Sequence, residues 1–300
     1  KIPVEKFEFK NISHNVAELF YLLSNAYSAQ LMLDKSNFYL NISRYLNPDF
    51  ISIKNLLAEN LFIDQNFEEA IKIYKDIAKS SELYNWHASK QISKIYLNKD
   101  NVKKSIEYLK KEYDKIDKPN KYQIFDYAEF LKNNEQFELS IYYYTEVLKN
   151  LNSEEDLYYK SKEGRGVSFE RISKWKKAEK DLLDSIKAKS DQAYVLNYLA
   201  YTWVDKGINL ERSLEMLKQA NNLRNNDGYI IDSLGWAFFK LKNYEKSKNL
   251  LQKAIILMPT DPIVNDHYGD VLWAVGQKIQ ARYYWNYVLN SEKTEKELLD

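Results

Sequence analysis

The chain of 300 residues contains no cysteine. That excludes a disulfide framework and any thiolate metal site, and it leaves the redox compartment open. Proline and glycine are scarce, with 5 and 7 residues, well below ordinary usage, and every glycine lies at or after Gly164. Hairpin turns require Asn-Gly or Asp-Gly between alternating strands. The one such pair, Asp227-Gly228, stands between two helical patterns. The composition therefore predicts an all-α chain. No apolar run approaches the roughly 20 residues a membrane helix needs, so no direct membrane span is expected. An excess of charge is also lacking: Lys+Arg is 44 and Asp+Glu is 43. A nucleic-acid partner, which requires a basic patch or stripe, is not expected. Arginine, the bidentate phosphate reader, occurs only at Arg44, Arg165, Arg171, Arg212, Arg224 and Arg282. The first residue is Lys1 rather than Met, with no signal-peptide pattern behind it. The expectation is a processed protein or a piece excised from a longer one.

What is present is aromatic and apolar material, 15% and 45% of the chain, arranged with a period. The stretch DSLGWAFFKLKNYEKS at Asp232 reads as helix, yet Gly235 sits inside it, where glycine costs about 1 kcal/mol relative to alanine. The pattern returns at DHYGDVLWAVGQKIQA, with Gly269 34 residues on. Backwards from Gly235 come Ala200, Gly166, Ala128, Ser93, Ala58 and Ser24, at spacings of 35, 34, 38, 35, 35 and 34. All are small. Twelve or thirteen residues after each stands a second small residue: Ser36, Ala70, Ser105, Ser140, Ala178, Ser213, Ser247 and Ala281. Four residues further on stands a large one: Leu40, Tyr74, Leu109, Tyr144, Leu182, Leu217, Leu251 and Trp285. A glycine recurring at one register position is a device for close helix approach, its intrinsic penalty offset by packing that no larger residue permits.

A small–small–large pattern with this period resembles the tetratricopeptide repeat, a helix–turn–helix unit of 34 residues. The resemblance implies an α-α superhelical solenoid of about eight repeats, over 17–50, 51–85, 86–120, 121–158, 159–192, 193–227, 228–261 and 262–295. It places the first small residue at repeat position 8, where helices A and B of one repeat cross. The second falls at position 20, where helix B meets the next repeat's helix A. Pro48, Pro119 and Pro259 stand where helix B ends. Residues 1–16, with Pro3 and an FEF alternation, are expected as an extended lead-in. Residues 17–295 are expected as one domain, and 296–300 as a polar tail, with SEKTEKELLD capping the last apolar face. Over 193–288 the sequence also resembles a group of alphaproteobacterial tetratricopeptide proteins. It is distantly similar to envelope adaptor lipoproteins that partner a carboxyl-terminal processing protease, which leans the compartment towards the bacterial envelope or periplasm.

Chemistry is sparse. His14, His87 and His267 are far apart in sequence and no HExxH is present, so no metal ligand set is predicted. Asp266, His267 and Asp270 form a local acid–imidazole pattern, with packing or a local hydrogen bond the favoured role for the histidine. EGRGVS at Glu163 lies in a predicted helix rather than between strand and helix, and is not read as a phosphate loop. DSLGW lacks the GxSxG of a nucleophile elbow. No cofactor and no catalytic residue are assigned, and the chain is expected not to be an enzyme. The carboxylate clamp known in some tetratricopeptide proteins is not met either. Its five positions hold Lys90, Lys94, Asp126, Lys160 and Gly164, and Asp126 would repel a carboxylate.

The resemblance places function on the concave face lined by the A helices. In the last three repeats it puts Tyr194, Asn197 and Tyr201, then Tyr229, Asp232 and Trp236, then Asp266, Asp270 and Trp273 in one groove. Rigid aromatics beside polar groups are the composition of binding hot spots. Asn197 and Asp232 are expected to bond an extended peptide backbone, and Asp266 or Asp270 to meet a basic side chain. The alternative for Trp236 and Trp273 is packing between neighbouring A helices. Trp86, Trp175, Trp203 and Trp285 fall at core positions, and Tyr142 and Tyr143 are expected to face outward or sideways. The function predicted is a non-catalytic adaptor for a protein or peptide partner. The alternatives are an envelope adaptor that docks and activates a processing protease, or the regulatory arm of an enzyme whose catalytic part lies elsewhere.

Overall fold

In the computed structural model, which describes residues 11–80, 82–149, 151–291 and 294, every regular element is a helix. The lead-in over 1–10 and most of the tail lie outside the described residues. The helices run α1 (Ile12–Ala29), α2 (Leu33–Leu46), α3 (Ile51–Ile63), α4 (Phe67–Ser80), α5 (Glu82–Asn98), α6 (Val102–Tyr113), α7 (Lys121–Asn133) and α8 (Phe137–Leu148). They continue as α9 (Asp156–Arg171), α10 (Trp175–Ala188), α11 (Ala193–Asp205), α12 (Leu210–Leu223), α13 (Gly228–Lys240), α14 (Tyr244–Leu257), α15 (Pro262–Ala274) and α16 (Lys278–Asn290). Odd-numbered helices are A helices and even-numbered ones are B helices. The contacts gather into two compact units, residues 1–123 and 124–300. None of the described helices is long and apolar enough to cross a membrane. One boundary differs from expectation. Helix α1 begins at Ile12, inside the stretch read as an extended lead-in, because the Asn11 side chain accepts from His14 N at 3.3 Å and caps it.

The turn between A and B is the same throughout the described chain. A residue in the left-handed region follows each A helix: Leu31, Gln65, Asp100, Glu135, Ser173, Gly207, Lys242 and Gly276. The next amide donates back five residues, as in Met32 N to Tyr27 O at 3.0 Å, Asn243 N to Phe238 O at 2.9 Å and Gln277 N to Leu272 O at 2.9 Å. This is the Schellman closure, which satisfies carbonyls left over at a helix end. The extra residue of the sixth repeat is absorbed at Asn209, a second left-handed residue that stands just before α12.

Packing explains the small residues. A Cβ on Gly235 would lie 2.8 Å from Leu251 Cγ, and one on Gly166 3.0 Å from Leu182 Cγ. Position 8 of helix A thus rests directly on the large position 24 of helix B. Position 20 does more than meet the next repeat, because it touches three helices at once. In the first pair Ser36 Oγ donates to Ser24 O at 2.9 Å, while Asn60 Nδ2 from α3 donates to Ser36 Oγ at 2.7 Å. In the third pair Ser105 Oγ donates to Ser93 O at 2.9 Å, and the two hydroxyl oxygens lie 2.6 Å apart. Ser140 Oγ meets Ser168 Oγ of α9 at 2.7 Å. Facing Ala200 and Gly235 in place of serine, Ser213 and Ser247 keep buried hydroxyls with no hydrogen-bond partner among the described residues. Of the four tryptophans expected in the core, Trp86 and Trp203 are buried, and Trp175 and Trp285 are half-buried.

Two stability outcomes follow from this packing. Gly235→Ala gains about 1 kcal/mol of helix propensity but overpacks Leu251, which costs about 1–3 kcal/mol. The variant should unfold at lower urea than the parent, and an unchanged or raised midpoint would contradict the close-approach role. Ser247→Ala removes an unsatisfied hydroxyl and should be neutral or stabilising by about 1 kcal/mol. Ser105→Ala breaks a satisfied pair and should cost about 1 kcal/mol. The opposite order in urea midpoints would refute the assignment of these hydroxyls.

Candidate functional site

Within the second unit the A helices α11, α13 and α15 lie side by side. The starts of α13 and α15 are fixed by aspartates. Asp227 Oδ1 accepts from Tyr229 N at 3.1 Å and Ile230 N at 3.4 Å, and Asp261 Oδ1 accepts from Ile263 N at 3.0 Å and Val264 N at 3.1 Å. Pro262 occupies the first turn of α15, where a missing N–H costs nothing. The second residues of the three helices, Tyr194, Tyr229 and Ile263, form an exposed row. Tyr194 is held in place by its hydroxyl, which donates to Asp227 Oδ2 at 3.0 Å, and by the Arg224 guanidinium, 4.8 Å from its ring centre.

The middle of this face is filled by side chains. Asp232 of α13 is buried and pairs with His267 of α15, Nδ1 lying 2.9 Å and 3.1 Å from the two carboxylate oxygens. The His267 ring stacks on the Trp236 ring at 4.0 Å and 11°. Trp236 also stacks with Phe239 at 4.7 Å and 6°, and Lys240 Nζ stands 4.6 Å from its ring centre. Tyr201 of α11 reaches the other helices, its ring 6.1 Å from that of His267. Burial pushes the Tyr201 phenol well above its usual value, with Asp232, Asp205 and Asp266 adding to the effect.

Two expected groove contacts are therefore corrected. Trp236 is only 7% exposed and serves as packing, because both Phe239 and His267 lie flat on it. Asp232 is not free for a peptide amide, because His267 uses its carboxylate. Asn197 is half-buried, its Oδ1 enclosed without a hydrogen-bond partner among the described residues, as is Trp236 Nε1. Tyr201 is half-buried. Tyr194, Tyr229 and Trp273 remain exposed, Tyr229 by 60% and Trp273 by 39%. Asp266 and Asp270, one turn apart on α15, are half-buried and enter no ion pair among the described residues. Burial raises both carboxyls. Asp270 adds to the rise of Asp266, whereas His267, a hydrogen bond with Trp285, and Lys240 restrain Asp270. Trp273 lies beside Trp285 at 5.4 Å, with Lys278 Nζ 4.9 Å from its ring centre.

The partner of His267 was not found by sequence reasoning, which grouped the histidine with Asp266 and Asp270 on its own helix. The available signal was the repeat itself: Asp232 at position 5 of one repeat faces position 6 of the next. Among the described residues no group of three or more His, Cys, Asp or Glu side chains is placed to hold a metal. EGRGVS lies inside α9, with Gly164 against Tyr144 and Gly166 against Leu182. Near it a second buried network joins Lys162 to Asp181 and Asp184, both at 2.8 Å, and Arg165 Nε to Asp181 at 2.6 Å. It ties α9 to α10.

The His267 pair sets a pH dependence. Burial alone lowers the imidazole pKa, but the charge and hydrogen bond of Asp232 outweigh it, and the pKa is raised above its ordinary value. A raised folded-state pKa gives stability that is fully present below about 6.5 and is lost as pH rises through the folded value. Asp232→Asn should therefore be most destabilised on the acid side, by about 3–5 kcal/mol for a broken buried pair. The deficit should shrink as pH rises. Denaturation midpoints of parent and variant across this range test it, and a deficit that grows with pH would refute the pairing.

No protein-family model matches the chain. A stretch of 143 residues is 32% identical to a tetratricopeptide-repeat-containing protein of Pseudomonas aeruginosa, and the match spans 48% of this chain but only 23% of that protein. Among solved structures, MamA from Desulfovibrio magneticus RS-1 aligns with a TM-score of 0.50 at 14% identity, over 59% of this chain and 98% of its own. PilF of Pseudomonas aeruginosa aligns with a TM-score of 0.50 at 16% identity, over 60% of this chain and 79% of its own. Helix pairs closed by one turn geometry, with small residues at positions 8 and 20, make this chain an α-α solenoid by fold, similar over about half its length to a protein named for the tetratricopeptide repeat.

Proposed function

We propose that the chain is a non-catalytic protein-binding adaptor that captures a segment of a protein partner on the face shared by α11, α13 and α15. The observation that carries this reading is the pair Asp266 and Asp270, half-buried carboxylates without an ion-pair partner among the described residues, beside the exposed Trp273. Partly desolvated carboxylates favour a basic side chain. The exposed rings of Tyr194 and Tyr229 and the half-exposed Trp273 add rigid apolar area at small entropic cost. The buried Asp232–His267–Trp236 stack acts as the floor. It holds the three A helices in register, so that the rim residues sit on a preorganised surface.

A photo-crosslinking residue at Tyr229 or Trp273 should capture one defined protein, with the exposed Tyr142 of α8 as the control position. Asp270→Lys should abolish that capture and leave the fold intact by circular dichroism. Equal capture at Tyr142, or capture indifferent to Asp270→Lys, would count against this face.

A further inference from the structure

A cleft of about 380 Å³ lies inside the first unit, walled by α4, α5 and the start of α6. Glu68, Ile71 and Lys75 line it from α4, where their spacing puts them on one face of the helix. Tyr96 of α5, Lys99 in the turn after it, and Asn101 and Lys104 at the start of α6 complete the wall. Lys99 Nζ holds Glu68 Oε1 at 2.9 Å. Lys104 Nζ stands 4.4 Å from the Tyr96 ring centre. Lys75 enters no hydrogen bond or ion pair among the described residues. Asn101 accepts from Lys104 N with its side-chain oxygen at 3.1 Å, and its side-chain amide donates to nothing among the described residues.

This concentration of lysine runs against local preference. The first turn of a helix is its positive end and disfavours cations. Helix α4 obeys the rule with Glu68 and Glu69 in its first turn. Helix α6 breaks it, with Lys103 and Lys104 there and no acidic residue. Nor does the repeat itself require it. Lys75, Lys99 and Lys104 stand at positions 25, 14 and 19, and the same positions one repeat earlier hold Asn41, Asp64 and Glu69. Glu68 marks where negative charge is wanted. Its carboxyl is held below the usual carboxylate range, first by its hydrogen bond and charge pairing with Lys99, with Lys104 and Lys72 adding to the effect. One glutamate against three lysines leaves two positive charges in the cleft uncompensated.

We infer that this cleft is an anion site that takes a phosphate group in its dianionic form. Two charges on the ligand match the two that are uncompensated, whereas a carboxylate brings only one. The terminal oxygens of a phosphate also supply separate acceptors for Lys75, Lys104 and the Asn101 amide. Lysine binds phosphate as a point charge and needs no bidentate fork, so the scarcity of arginine is no obstacle. A phosphate beside the start of α6 relieves the two cations in its first turn, as an anion at a helix start does. The site draws on none of the residues of α11, α13 and α15.

The test titrates inorganic pyrophosphate and O-phosphoserine separately into the isotope-labelled chain, followed by NMR. Ionic strength is held constant with sodium chloride, at about one and a half pH units above the second phosphate pKa of about 6. The amide signals of Lys99 to Lys104 should move and saturate. Tighter binding of pyrophosphate would identify a free phosphorylated compound as the source of the group, and tighter binding of O-phosphoserine a modified protein side chain. Lys75→Gln/Lys104→Gln should weaken either midpoint by about tenfold. Lys103→Gln, the same kind of charge change on the same helix but outside the cleft, should leave it nearly unchanged. All three lysines are exposed, and circular dichroism checks that each variant folds. Signals that never saturate, that chloride moves equally, or that respond to Lys103→Gln as strongly as to the double variant would overturn the site.

Discussion

The structure depends on one steric constraint, the contact at which helix B, its own helix A and the next helix A come within a side chain's width of one another. Position 20 sits at that contact and position 8 faces it. Neither tolerates bulk, and the large residue at position 24 closes over both. The three contacts use different chemistry for the same end. Ser36 bonds to both neighbours, Ser93 and Ser105 bond to each other, and Gly235 lets Leu251 come so close that a Cβ would collide. Once this spacing is set, the positions of every other side chain on the two helices follow from the 3.6-residue period.

That dependence is why the fold was legible in the sequence. Small residues at a regular interval, followed four residues later by a large one, encode the junction directly, and no alignment was needed to see it. The turns were not legible. Glycine would have announced a left-handed residue, but Leu31, Gln65, Asp100, Glu135, Ser173 and Lys242 take that conformation without announcing it. The start of α1 was misplaced for a related reason. Its cap is an asparagine in an unremarked NISHN, with no proline or glycine to mark the boundary.

At the candidate site the sequence carries register but not occupancy. Register says which residues share one side of the A helices. It does not say whether a neighbour one repeat away already fills the space in front of them. Asp232 and Trp236 turn that way and meet His267, whose ring is the right size to cover one and the right chemistry to hold the other. Tyr194 and Tyr229, at the helix starts, remain exposed. Burial on this face thus falls from the helix middles to the starts, and the exposed chemistry collects at the rim.

The left-handed residue after each A helix has a further consequence. An L-residue held there carries roughly 1–2 kcal/mol of local strain, and in six of the eight turns the chain uses a residue other than glycine. In a solenoid the stability is approximately a sum over units and their interfaces. A strained turn therefore lowers one unit without weakening the next. The molecule is divided into segments whose opening energies can differ, with the thermal fraying of each set by a residue that touches no face at all.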